Sequence, residues 1–269
     1  MNTPHRPIAL VTGASSGIGA EIARTLARSG HDLVLTARRI APMATLAAEL
    51  QAGGAAITVI GADLSQPGAA LSLTNELGAR GLSIDVLVNN AGLGAAGRFD
   101  RQDPVRVGEM LQVNIVALTE LTRLLLPDMV ARRRGGVMLV ASTAAFQPGP
   151  GMAVYFASKA YVLSFGEALA YELRHSGVAV TVLCPGATET EFFAVAGADN
   201  SLMAQRFRRM MPADLVARLG CAGLARGRRV VIAGALNRLM ALAGRFAPHR
   251  LTLPVTDRLM ASGQPGEPR

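Results

Sequence analysis

The chain has 269 residues, half of them hydrophobic and 17% charged, and it carries a net charge of +8. This excludes a disordered chain and leaves room for one large domain, or two small ones, with a sizeable core. Two cysteines, Cys184 and Cys221, cannot build a disulfide framework or a four-Cys zinc site, and the four histidines (His5, His31, His175, His249) lie too far apart for a metal motif.

The charge is unevenly spread. Residues 205–269 hold 12 Arg against 3 acidic side chains, while residues 1–204 are almost neutral. The basic character therefore belongs to the tail and does not mark the whole chain as a nucleic-acid binder. Of the 27 basic residues, 26 are Arg, and the only Lys is Lys159. Against such a bias, a retained Lys is either a chance survivor or a position that needs a compact, rotatable ammonium. No apolar run has the length of a signal peptide or a spanning helix, so a reducing, cytoplasmic setting is expected.

In chain order, Ile8 to Val11 reads as a buried strand. It runs into Thr12-Gly13-Ala14-Ser15-Ser16-Gly17-Ile18-Gly19, at the head of a helix expected from Gly19 to Ser29. Glycines there allow a tight turn and close approach to a pyrophosphate, and the helix N-terminus supplies N–H donors and a favourable dipole. The spacing is Gly-x-x-x-Gly-x-Gly, without the Gly-Lys-Ser/Thr of a P-loop, which disfavours a nucleoside triphosphate. A purely structural turn is the competing reading. A second strand, Asp32 to Thr36, ends at Ala37-Arg38-Arg39, where a dinucleotide's adenosine ribose would lie. An acidic residue there would bond the 2′-hydroxyl. Arg suits a 2′-phosphate, so NADP(H) is expected over NAD(H), with a solvated strand-end Arg as the alternative.

A helix from Ala41 to Ala52, a strand from Ala56 to Ile60 and a helix from Pro67 to Arg80 come next. The fourth strand, Ile84 to Val88, leads straight into Asn89-Asn90-Ala91-Gly92. These amides can cross-link strands beside a cofactor or form an ordinary turn. A long helix is expected from Pro104 to Arg133, with Asn114 inside it. After a fifth strand, Val137 to Val140, come Ser142 and then Tyr155-Phe-Ala-Ser-Lys159. That spacing sets a phenol and an amine at i and i+4, on one face of the helix opening there, with the helical stretch expected from Phe156 to Ser176. A sixth strand, Val178 to Leu183, leads to Cys184-Pro185-Gly186. Continuous β-branched strands alternating with helices predict an α/β fold, a single-domain doubly wound parallel sheet (Rossmann fold) with helices on both faces and a C-terminal helical extension.

With these residues in view, the chain resembles the short-chain dehydrogenase/reductase family. That family's pattern is Thr-Gly-x-x-x-Gly-x-Gly, Asn-Asn-Ala-Gly, a helical Asn, a Ser, Tyr-x-x-x-Lys, and Pro-Gly with a nearby Thr. Here these match Thr12 to Gly19, Asn89 to Gly92, Asn114, Ser142, Tyr155 with Lys159, and Pro185-Gly186 with Thr190. The resemblance covers residues 6 to 192, in family order.

The resemblance implies an oxidoreductase that moves a hydride between NADP(H) and a carbonyl or alcohol carbon. Tyr155 is then the acid/base, Lys159 lowers its pKa and bonds the nicotinamide ribose, and Ser142 holds the substrate oxygen. Asn114 breaks its helix and fixes a water on the proton path. A free Tyr titrates near ~10, so a neighbouring cation is chemically needed at neutral pH. The implied cofactor contacts are Gly13, Ser15, Ser16, Gly17, Ile18 and Gly19; Arg38 and Arg39; and Asp63 and Leu64 near the adenine. Asn90, Ala91 and Gly92 follow on the adenosine side, with Tyr155, Lys159, Pro185, Gly186, Thr188 and Thr190 around the nicotinamide. Ser16 stands where some NADPH-dependent members carry a basic residue, so the preference rests on Arg38, with Arg39 a weaker helper. Cys184 reads as a small buried apolar residue, Tyr161 and Tyr171 as packing residues, and no feature suggests a metal.

The catalytic domain is expected over residues 1–225, with a substrate lid at about 190–215. Phe192, Phe193, Met203, Phe207, Met210 and Met211 make that lid apolar, which suits a hydrophobic carbonyl or alcohol but also an ordinary core stripe. Residues 226–269 read as a basic, partly amphipathic C-terminal extension, packed on or near the same domain and resembling the tails of DltE-like bacterial reductases. Such a tail can touch an anionic membrane, cover the substrate cleft or meet a subunit neighbour. A homo-oligomer, dimer or tetramer, is implied by the family. No nucleic-acid partner is expected, since the tail lacks an aromatic stacking platform. The competing functions are a non-catalytic NADP(H)-binding sensor or scaffold, which could afford to lose Tyr155 and Lys159, and a peripheral-membrane reductase recruited by its basic tail.

Overall fold

Seven strands form one parallel sheet in a computed structural model that describes residues 6–198 and 210–260. They are β1 (Ile8–Thr12), β2 (Asp32–Ala37), β3 (Ile57–Gly61), β4 (Val86–Asn89), β5 (Gly135–Val140), β6 (Val178–Cys184) and β7 (Val230–Ile232), in the order β3-β2-β1-β4-β5-β6-β7. The side-chain period of two divides the strand residues between two cores. Leu10, Val34, Leu87, Val137 and Val182 point to one face, and Val11, Leu35, Val88, Met138 and Leu183 to the other. Both faces are dry, which is why the strands read as unbroken apolar runs rather than alternating ones.

The helices α1 (Gly17–Arg28), α2 (Ile40–Ala52) and α8 (Ala213–Ala225) cover the second face with Ile22, Leu26, Met43, Leu46 and Val216. The helices α3 (Ala69–Ala79), α4 (Pro104–Leu111), α5 (Leu118–Ala131) and α6 (Ala153–Glu172) cover the first with Leu73, Met110, Leu121 and Val162. Strand β1 pairs with β2 on one side and with β4 on the other, so the chain reverses its winding direction there. The loops leaving β1 and β4 diverge at that point and open a crevice at the carboxyl ends of the strands.

Three expectations are corrected. The stretch expected as one helix from Pro104 to Arg133 is two, α4 and α5, separated by a π turn, Gln112–Ala117, at the break that the family resemblance implied for Asn114. Asn114 lies in that turn, and its Nδ2 donates to the Leu93 carbonyl (2.9 Å) and to Ser158 Oγ (3.0 Å) while its Oδ1 accepts from the Leu93 amide (2.8 Å). A widened turn supported by such side-chain bonds is a common device at functional sites. Helix α6 starts at Ala153, so Tyr155 is already helical. The third correction is β7, for which no strand was expected: Val230, Val231 and Ile232 pair with Val182, Leu183 and Cys184, so the sheet continues past residue 225.

After β7 the chain forms α9 (Ala235–Phe246) and α10 (His249–Met260). Helix α9 crosses the carboxyl end of the sheet and packs so closely that a Cβ on Gly186 would collide with Asn237. Helix α10 is tied to the turn after β5 by a bond from Gln147 Nε2 to Thr256 Oγ1 (3.2 Å). A short helix, α7 (Phe192–Val195), opens the lid region, and Met211 returns beside Thr188 in an isolated parallel bridge. Met203 and Phe207 of the expected lid, His5 and the chain from residue 261 onward lie outside the described residues.

Candidate active site

The turn after β1 is built by exclusion. Gly13 (φ 66°) and Gly17 (φ 56°) adopt backbone conformations that L side chains avoid. A Cβ on Gly13 would come within 2.8 Å of Asn90 Nδ2, and one on Gly19 would collide with the Gly13 carbonyl. Asn90 staples the turn to β4, donating from Nδ2 to the carbonyls of Thr12 (2.9 Å) and Gly13 (3.2 Å). The buried Thr12 hydroxyl accepts from the amides of Asn90 and Ala91, both at 3.0 Å. Helix α1 opens on Ser16 with no side-chain cap and no acidic residue in its first turn. Its first N–H groups thus face the crevice and fit the pyrophosphate of a dinucleotide.

At the end of β2, Arg38 and Arg39 line the crevice together with Asp63 and Leu64. Burial alone would raise the Asp63 carboxyl. The Ser65 hydroxyl and amide, with the charge of Arg38, outweigh that and hold it below its usual value. Arg39 Nη2 donates to Ser16 Oγ (2.9 Å), reaches Ser15 Oγ (3.5 Å) and pairs with Glu191 Oε2 (2.7 Å). The guanidinium of Arg39, two residues past the end of β2, therefore lies beside Ser16 of the glycine-rich turn and is paired there with Glu191.

The other end of the crevice holds the titratable pair. Ser142 follows β5 and accepts from the Ala144 amide (3.1 Å). Tyr155 is 8% exposed, wedged between Phe156 and Phe192, whose ring centroid is 5.1 Å away. Burial pushes the phenol up to about 12, against a lowering hydrogen bond from Ser142. Lys159, 5% exposed, places Nζ 5.8 Å from the Tyr155 ring centre and donates to the Val140 carbonyl (2.9 Å). Burial pushes its ammonium down to about 8. Gly92, expected toward the adenosine end, is instead placed against this pair, since a Cβ there would sit 3.3 Å from Lys159 Nζ and 3.5 Å from Asn114 Oδ1.

One cleft of about 460 Å³ joins the two ends. Every expected site residue lines it except Gly19 and Asn114, which lie beneath it as supports. Pro185, Gly186, Thr188 and Thr190 form the wall after β6, with Thr190 packed against Gly17. The structure adds residues that the sequence did not suggest: Gln147, Met152, Met240, Thr256, Leu259 and Met260, the last four from α9 and α10. No local pattern joins positions so distant in the chain; covering the cleft was one of three expectations for the tail, without residues assigned to it. Cys184 is fully buried, and burial raises its thiol to about 12, so it is inert packing. Tyr161 and Tyr171, read as packing residues, are both exposed: Tyr161 bonds Thr119 Oγ1 (2.9 Å) and Tyr171 lies under the Arg174 guanidinium (4.1 Å). Among the described residues, no group of three or more His, Cys, Asp or Glu side chains could hold a metal.

A dinucleotide cradle at the switch point of a parallel sheet, joined to a buried Tyr and Lys with a half-buried Ser beside them, defines a nicotinamide-dependent oxidoreductase class. The sequence model described as "short chain dehydrogenase" matches residues 7–201, and the chain belongs to that family. Among solved structures, it is similar to a short-chain dehydrogenase from Sphingobium yanoikuyae in complex with NADPH, with 35% identity and a TM-score of 0.79 over 88% of this chain and 92% of that one. A bulky-bulky ketone specific alcohol dehydrogenase from Comamonas testosteroni shares 31% identity, with a TM-score of 0.75 over 89% and 92%. A short chain dehydrogenase/reductase from Burkholderia phymatum in complex with NAD shares 25% identity, with a TM-score of 0.81 over 100% and 99%.

Proposed function

We propose that the protein is an NADPH-preferring reductase of hydrophobic ketones or aldehydes, with Tyr155 as the proton donor. The observation that carries this reading is the burial of Tyr155 and Lys159, with Ser142 half-buried beside them, on the floor of an apolar cleft that continues into a pyrophosphate cradle. When bound, the nicotinamide supplies the hydride, which the chain itself cannot. Gly13 to Ile18 and the free amides of α1 hold the pyrophosphate, and Arg38 and Arg39 hold the 2′-phosphate. Ser142 orients the substrate oxygen toward the phenol. A phenol held up to about 12 is a protonated donor at neutral pH. Lys159 stabilises the phenolate left after proton transfer, and with an ammonium near 8 it can also pass a proton onward. The Asn114 side chain, spent on Leu93 and Ser158, holds the π turn in shape and leaves the proton path to its main chain.

The apolar lining supports the substrate class. Phe192, Phe193 and Val195 from the lid, Met152 from the approach to α6, and Met240, Leu259 and Met260 from the tail surround the space beyond Tyr155. The Comamonas dehydrogenase named above, specific for bulky ketones, has a similar fold. Within the family we place the chain with the DltE-like bacterial reductases, on the form of its tail. The test is turnover of a graded panel of alkyl and aryl ketones with NADPH and with NADH. Activity that rises with ketone bulk and prefers NADPH supports the reading. A preference for small polar substrates, or for NADH, would overturn it.

A further inference from the structure

We propose that α9 and α10 form a docking surface for an anionic lipid bilayer, and that docking brings the mouth of the cleft to the membrane. Helix α9 has three faces. Asn237, Ala241 and Gly244 point inward against the body of the protein. Leu236, Leu239, Leu242 and Phe246 point outward at 63%, 64%, 57% and 75% exposure, among the most exposed large apolar side chains described. Arg238 and Arg245, two turns apart, occupy the arc between the two. An exposed apolar arc flanked by arginines is the pattern of a helix lying in the plane of a lipid interface, with apolar side chains in the acyl boundary and guanidinium groups at the headgroups. Helix α10 extends it with exposed Leu251 and Val255. No described helix is long and apolar enough to cross a membrane, so the contact is with one leaflet only.

Charge decides between occupants. Residues 226–260 carry seven Arg and a single acidic side chain, Asp257. A second copy meeting this face about a two-fold axis would set those arginines against their own equivalents, a like-charge cost with only one Asp257 per copy to relieve seven arginines. An anionic leaflet supplies the missing negative charge, at about fivefold in affinity per arginine near the surface. The same helices wall the cleft: Met240 lies on the rim of the apolar arc and also lines the cleft, as do Thr256, Leu259 and Met260. A substrate dissolved in the leaflet then enters beside α9. That consequence rests on the cleft being a hydrophobic-substrate site, whereas docking itself does not and is measured without turnover.

The experiment is flotation of the full chain with phosphatidylcholine vesicles, with and without phosphatidylglycerol, at low and high salt. The expected result is capture by the phosphatidylglycerol vesicles at low salt and release at high salt. The pair Leu239→Glu with Phe246→Glu should lose at least ~10-fold in capture, and Arg238→Gln with Arg245→Gln about 25-fold. All four positions are exposed and outside the cofactor cradle, so thermal melting and NADPH binding should stay at wild-type values and show intact folding. No capture at low salt, or equal capture of wild type and both variants, overturns the proposal. So does a wild-type oligomer that the Leu239→Glu and Phe246→Glu pair converts to monomers while vesicles stay bare, which would make this face an interface between copies.

Discussion

Arg39 and Glu191 form an ion pair across the mouth of the cofactor cleft, with 2.7 Å between Nη2 and Oε2 and a separation of 152 positions along the chain. The pair joins the turn after β2 to the residue that precedes α7 of the lid, while Ser16 of the glycine-rich turn accepts from the same guanidinium nitrogen. Both side chains are more than half exposed, so the pair is weak, on the order of 0–1 kcal/mol. A 2′-phosphate dianion near Arg39 competes with Glu191 for the same donor. Glu191→Gln should therefore tighten NADPH by about two- to fivefold while leaving NADH unchanged. Fluorescence titration of both cofactors checks this, and an equal change for both would mean that the pair acts on the lid alone.

Removing the second arginine probes the same discrimination from the other side. Arg38 adds a guanidinium beside Asp63, and a charge-assisted hydrogen bond contributes about 1.5–3 kcal/mol. Arg38→Ala should weaken NADPH by about tenfold or more and barely affect NADH. A loss shared equally by the two cofactors would place Arg38 against the adenine instead of the phosphate.

Tyr155→Phe removes one oxygen and keeps the ring that packs on Phe192. Turnover should fall by about 10²–10⁴-fold with NADPH affinity within twofold of wild type, since general-acid catalysis is lost but the cradle is untouched. Single-turnover kinetics on the best ketone of the panel is the measurement. Persisting turnover would reassign the acid.

Lys159 couples chemistry to stability. Its ammonium titrates near 10.5 when unfolded and about 8 when buried. Between those values the unfolded chain binds more protons than the folded one, so this group makes stability rise with pH. Relative to Lys159→Met, the wild type should gain up to ~3 kcal/mol as pH is raised from 7 to 10. Tyr155, raised to about 12, acts in the opposite direction only above pH 10 and is common to both proteins. Denaturant melts of the two proteins across that range give the slope, and parallel curves would show that the ammonium is solvated. Lys159→Arg should impair cofactor binding and turnover despite keeping the charge, because a planar fork cannot replace Nζ beneath Gly92.

Asn114→Ala leaves the Leu93 amide and carbonyl and the Ser158 hydroxyl without their buried partner. A loss of about 2–4 kcal/mol is expected, from one to three unsatisfied groups. Thermal melting checks it. Ser158 also donates to the Tyr155 carbonyl (2.7 Å), so the same variant should loosen the turn that carries the phenol.

The amino-acid sequence by itself determined the strands that are dry on both faces, the glycine-rich turn and the i, i+4 placement of Tyr155 and Lys159. These depend on interactions within a few residues: period-two burial, φ values open to glycine, and the pitch of one helix. The tertiary structure alone decided what depends on chain segments far apart in sequence. It chose Leu93 and Ser158 as the partners that hold the helix open at Asn114, and set Gly92 over Lys159. It returned Val230 to the edge of the sheet, paired Arg39 with Glu191, and turned the inner side of a basic tail into a wall of the cleft. Lys159 stands at the boundary between the two. Its singularity is visible in composition, but its burial beneath Gly92, which lowers its pKa to about 8, exists only once β4, β5 and α6 have come together.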